Sequence, residues 1–177
     1  MPKQNKTAFV LLAVNLLTLI LLGSINSTIG QHGFFLYLPA LFFLPGALYL
    51  DNVRGVPLAF LTGLLLDQQI ETIFGFHAFG LSLLHLIGSN WVRGVNYRKD
   101  FVTLVLQLPA NLLFFVLWIL WIKIFEDGVM DWTFGRWFID LLTSSLTLIP
   151  LAIWMPRFVE SLLDLIHLSP EGRKELS

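Results

Sequence analysis

Residues 55–67 read GVPLAFLTGLLLD and residues 74–82 read FGFHAFGLS, and these two stretches decide the fold. Both are apolar, and glycines recur in them and just after them. In a bilayer, helix association depends on the close approach that small residues allow, because lipid is as apolar as leucine. The pattern therefore predicts a tightly packed pair of membrane helices. Its glycines are Gly55, Gly63, Gly75, Gly80 and Gly88.

The composition of the whole chain supports a membrane location. Of its 177 residues, 56% are hydrophobic and 13% are charged, whereas a soluble domain has about 25% charged residues. So little charge cannot cover a globular surface in water, which predicts an integral membrane protein with one polytopic domain over residues 1–177. The net charge of −1 excludes a broad basic field for nucleic acid. The absence of cysteine excludes disulfides and zinc–thiolate sites.

Six apolar segments divide the chain, which predicts an all-α protein with six transmembrane helices. The third segment is short: the fourteen residues before Asp67 rise about 21 Å as a helix, less than the 30 Å of a hydrocarbon core. The alternative for it is a re-entrant hairpin with the fourth segment. Pro39 and Pro45 interrupt the second segment and are expected to kink its helix. The boundaries are residues 8–25, 33–50, 53–67, 73–91, 101–125 and 137–155.

The distribution of basic residues favours six full crossings. With the N-terminus inside, the inner segments are residues 1–7, 51–54, 91–100 and the tail from 156, and they hold nine of the 11 Lys and Arg residues. Only Arg136 and Lys123 lie on the outer side. This is the positive-inside bias, so both termini are expected in the cytoplasm. Residues 156–168 form an amphipathic tail that either lies in the headgroup plane or continues the sixth helix.

Acids near the ends of apolar segments are the first candidates for a functional site, because charge is expensive in a membrane. Asp67 ends the third segment, either as an interfacial acid or as a buried acid that caps the next helix. Asp140 lies near the start of the sixth segment, where an acid complements the helix dipole.

Catalytic and metal-binding patterns are missing from the sequence. His77 and His85 are eight residues apart on one helix, about 12 Å, and cannot bind one metal together. They are interpreted as neutral histidines that form hydrogen bonds inside the bundle. The serines lack a GxSxG context, so a pairing of Ser144 with His77 has no motif behind it. Phosphate-binding glycine loops are also missing. The sequence predicts no enzyme, no metal and no cofactor.

The 55–82 region resembles the MreD family of bacterial rod-shape-determining membrane proteins. That family shows a glycine, a phenylalanine five residues later, a glycine three residues on, an aspartate four further, and then a glycine that opens the next helix. Gly55, Phe60, Gly63, Asp67 and Gly75 take these positions. The likeness extends loosely to chain size, to the six segments, to Pro150 in the sixth and to the charged tail. The turn after the aspartate departs from the family, because QQIE stands where a small residue is usual.

The resemblance implies a fold similar to the substrate-binding S components of energy-coupling-factor vitamin transporters. It also implies a place in the inner membrane, within the elongation machinery that inserts side-wall peptidoglycan. The expected partners are MreC above all, then MreB, RodA with its penicillin-binding transpeptidase, and membrane lipids. The expected role is non-catalytic scaffolding or regulation. Gly55, Phe60, Gly63, Asp67, Gly75, Gly80 and Pro150 are its candidate residues for helix packing or partner contact. The alternative function is that of a vitamin-binding S component.

Overall fold

The computed structural model describes residues 3–70, 72–94, 99–125 and 134–168. Within these ranges all regular structure is helical. The α-helices are α1 (Lys3–Gly30), α2 (Leu44–Tyr49), α3 (Asn52–Gln69), α4 (Phe76–Gly94), α5 (Lys99–Phe125) and α6 (Phe134–Leu165), and a 3₁₀ turn (Pro39–Leu41) precedes α2. Among the described residues, α1, α6 and Thr103–Ile124 of α5 are long and apolar enough to cross a membrane, which fits a membrane location.

The second apolar segment is not the kinked helix that the sequence predicts. Residues 34–38 lack helical structure, and only the 3₁₀ turn and α2 follow before Leu50. This segment links the two ends of the bundle, because Leu36 bonds to Asn26 and the Asp51 N–H donates to Gln4. Positions 4 and 26 of α1 are about 33 Å apart, whereas fifteen residues of helix would rise only about 22 Å. A partly extended chain covers the distance.

The same segment lies at the centre of the molecule. Every residue from 37 to 47 is buried, and Tyr37, Phe42 and Phe43 are among the largest fully buried side chains. Irregular backbone at membrane depth is tolerated only where protein surrounds it. The long helices therefore pack around a core segment that combines extended chain, a 3₁₀ turn and the short helix α2.

Helices α3 and α4 form the hairpin that the glycine pattern predicts. Gly63 packs against the backbone of Ala78, and at the far end of the hairpin Ser89 donates to Asn52 at 2.8 Å. Asp51 caps α3 by accepting from the Arg54 N–H at 3.0 Å. The pair is thus antiparallel and closely packed along its length.

Helix α6 includes most of the predicted amphipathic tail. It runs without interruption to Leu165, past Pro150 and Pro156, so the amphipathic tail continues the sixth helix. Residues 95–98, residues 126–133 and the chain after 168 lie outside the described residues. They include some of the basic residues whose distribution favours six crossings.

Candidate functional site

Asp67 lies near the end of α3 and holds the beginning of α4. One carboxylate oxygen accepts the Gly75 N–H at 2.9 Å, and the other accepts the His77 N–H at 2.9 Å. The Thr72 hydroxyl donates to the same carboxylate at 3.2 Å. The residue is only 7% exposed, so these bonds replace solvent. Asp67 is therefore a buried acid that caps the next helix, and not an exposed interfacial acid.

Gly75 supports this cap through its backbone conformation. Its φ of +100° lies in a region that residues with a Cβ rarely adopt. A Cβ at this position would meet no atom within 4 Å. The expectation that Gly75 serves close packing is therefore wrong; the residue lets the turn direct its N–H at Asp67.

The side chains of Asp67, His77 and Tyr37 form a buried chain of hydrogen bonds. Nδ1 of His77 lies 2.8 Å from Oδ1 of Asp67, and Nε2 lies 2.8 Å from the Tyr37 hydroxyl. A neutral imidazole satisfies both contacts when its proton is on Nδ1, because Nδ1 then donates to the carboxylate and Nε2 accepts from the Tyr37 hydroxyl. His77 and Tyr37 are both fully buried. The chain therefore joins the α3–α4 hairpin to the central segment.

Tyr37 is also held by its backbone and its ring. Its N–H donates to the Ser144 hydroxyl at 2.9 Å, and its carbonyl accepts from the Asn111 amide at 2.9 Å. Its ring stacks on Trp118 with centroids 4.9 Å apart. Ser144 and His77 thus both bond to Tyr37, Ser144 at the backbone and His77 at the hydroxyl.

Two further side chains form hydrogen bonds with the backbone groups of the extended residues before Tyr37. Asn26 bonds to both the N–H and the carbonyl of Leu36, at 2.8 and 2.9 Å. The Phe35 N–H donates to Asp140 at 3.0 Å. Asp140 is fully buried and links this extended segment to α6. The expectation that Asp140 complements the α6 dipole did not include this contact. Sequence reasoning also missed Asn26 and Asn111.

Three glycines of the motif region serve close packing. A Cβ on Gly63 would overlap the backbone of Ala78, one on Gly55 would overlap the ring of His85, and one on Gly80 would overlap the ring of Phe114. His85 is fully buried. These contacts connect α4 to α3 and to α5.

Two other candidate residues face outward. Phe60 is 45% exposed, and Pro150 is also exposed. Neither packs inside the bundle, so the structure leaves them on the surface, available to lipid or to a partner.

Comparison of the chain with protein-family models, with curated proteins and with solved structures found no match.

Proposed function

We propose that this protein is a non-catalytic inner-membrane component of the bacterial cell-elongation complex, of the MreD type. It would maintain rod shape by scaffolding side-wall peptidoglycan synthesis together with MreC. The main observation behind the proposal is that the Asp67 carboxylate accepts hydrogen bonds from the N–H groups of Gly75 and His77, where α4 begins. Three residues that carry the resemblance to MreD thus support one hairpin. Gly63 lets α3 and α4 pack closely, Asp67 caps α4, and Gly75 supplies the backbone conformation of the turn.

The turn between α3 and α4 is the proposed partner surface. Phe74 is 69% exposed and Ile73 is 44% exposed, while the cap behind them is buried. A turn that buried hydrogen bonds hold to Asp67 and that displays an aromatic side chain suits a protein contact, because preorganised aromatic anchors carry much of the affinity of interfaces. MreC is the partner we propose for it.

Six crossings with both termini in the cytoplasm belong to the same proposal. Helix α3 runs beside α1 from Gln4, which bonds to Asp51, to Gly23, where a Cβ would lie 3.7 Å from the Gln69 side chain. Nineteen residue steps of α1 separate Gln4 from Gly23, a rise of about 28 Å that is close to the thickness of a hydrocarbon core. This favours a full crossing by α3 over the re-entrant alternative, and the antiparallel α4 returns along it.

Cysteine labelling tests the topology directly, because the chain has no cysteine of its own. We expect a membrane-impermeant maleimide to label Gln31→Cys and Gln68→Cys in spheroplasts, and Gln4→Cys only after lysis. Labelling of Gln4→Cys and Gln68→Cys from the same side would contradict the crossing by α3.

Depletion in the source bacterium tests the function. We expect depleted cells to lose rod shape and become round, and expression of the chain to restore the rod. Cells that keep their shape and their rate of side-wall synthesis would contradict the proposal.

A vitamin-binding S component is the second candidate, and one observation favours it. A cavity of about 420 Å³ lies at the Gly30 end of the bundle between α1, the extended segment and α3, with Asn26, Phe35 and Gln69 in its lining. Pockets of 300–1,000 Å³ suit small ligands. Mass spectrometry of small molecules released from the purified protein decides between the two, since an S component should carry its vitamin in stoichiometric amount.

A further inference from the structure

A groove between α1 and α3 lies at the Lys3 end of the bundle, opposite the proposed partner surface. Its volume is about 310 Å³, equal to roughly ten water molecules. Its walls are apolar and include Phe9 and Leu61, which are 60% and 48% exposed. Such walls suit a hydrocarbon chain.

Arg54 stands at the mouth of this groove with its side chain 29% exposed. Its guanidinium donates to Asn5 and to Asp51, which uses two of its five N–H donors. Asp51 balances its charge, and Lys6 in the first turns of α1 adds a positive charge at this end of the bundle. Arginine forms strong hydrogen bonds with phosphate.

A backbone acceptor lies beside that cation. Pro57 lines the groove and has no N–H, so the carbonyl of Val53, four residues earlier, lacks its usual helical donor. Val53 lines the same groove and is 79% exposed. The mouth thus combines a donor for phosphate with an acceptor for a hydroxyl of a headgroup.

From these observations we infer that the groove binds one anionic phospholipid. An acyl chain would lie along Phe9 and Leu61, the phosphate would contact Arg54, and a headgroup hydroxyl would donate to the Val53 carbonyl. The inference is independent of the proposed function, because it concerns the other end of the bundle and needs no protein partner.

Native mass spectrometry of the delipidated full-length protein tests this site, by titration with phosphatidylglycerol and with phosphatidylcholine of the same acyl chains. We expect one phosphatidylglycerol to bind before the others and more tightly than phosphatidylcholine. Arg54→Gln should weaken that first binding about fivefold, as expected for the loss of one basic contact near an anionic lipid. Arg157→Gln, at the same end but on α6, is the matched control and should leave it unchanged.

A second pair of variants tests the groove without altering charge. Leu61→Trp fills the groove and should abolish the tight first binding, whereas Leu83→Trp, at a leucine that is also 48% exposed but on α4, should not. Equal affinity for the two lipids would overturn the inference. It would also be overturned if Leu61→Trp behaved like Leu83→Trp, or if a well-folded Arg54→Gln behaved like Arg157→Gln.

Discussion

Asp67 accepts two hydrogen bonds from His77 on one oxygen, from the backbone N–H at 2.9 Å and from Nδ1 at 2.8 Å. The first fixes where α4 begins, and the second fixes the imidazole so that its other nitrogen meets Tyr37. One carboxylate therefore sets both the turn on the surface and the contact in the core.

Substitution of Asp67 should destabilise the protein, and leucine should do so more than asparagine. Asp67→Asn keeps one acceptor oxygen but places an amide group where the other accepted, so we expect a loss of about 1–3 kcal/mol in the free energy of unfolding. Asp67→Leu removes every acceptor and leaves the Gly75 and His77 donors buried without partners, so its loss should be larger. Reversible unfolding in mixed micelles measures both. Equal stability of Asp67→Leu and the wild type would mean that the cap contributes nothing.

Gly63 should tolerate no side chain. Its missing Cβ faces the backbone of Ala78, which cannot move aside as a flexible side chain could. Gly63→Ala should therefore cost about 1–3 kcal/mol, and Gly63→Leu should sharply reduce the amount of folded protein in the membrane. Gly30→Ala is the control, because a Cβ there meets no atom within 4 Å. Yields and unfolding curves that match for the two alanine variants would contradict the close contact.

Ser144 should matter for stability through its bond to the Tyr37 backbone. Ser144→Ala leaves the buried Tyr37 N–H without its acceptor, at an expected cost of about 1–3 kcal/mol. The neighbouring Ser145→Ala, at a partly exposed position, should change stability by less than about 0.5 kcal/mol. The same unfolding assay compares them. If Ser144→Ala is as stable as the wild type, the Ser144 hydroxyl does not contribute to the network.

The α3–α4 hairpin could be predicted from sequence because its signals are local. The glycines, the apolar run and the capping acid all lie within about thirty residues of one another, and each has a direct physical meaning. The cap by Asp67 follows from the cost of a charge beside hydrocarbon together with the donors at a helix start.

The central segment could not be predicted, because its partners are distant in the chain. Asn111 is 74 positions from Tyr37, Ser144 is 107 positions from it, and Asp140 is 105 positions from Phe35. An apolar run with two prolines looks like a kinked helix until the donors and acceptors that satisfy an extended backbone are known. Asn26, Asn111 and Ser144 are ordinary polar residues in their own helices. No local pattern indicates that they form hydrogen bonds with the backbone of the central segment.

Co-purification of MreC is the measurement that tests the central claim most directly. In cells of the source bacterium, tagged wild-type protein is expected to retain MreC, and Phe74→Ala to retain about tenfold less, since truncation of an aromatic anchor at an interface typically costs more than 1 kcal/mol. Phe134→Ala is the matched control, because it removes a phenylalanine that is 80% exposed at the start of α6 and should retain MreC fully. Absence of MreC from the wild-type preparation, or equal retention by Phe74→Ala and Phe134→Ala, would contradict the assignment of the 67–75 turn as the partner surface.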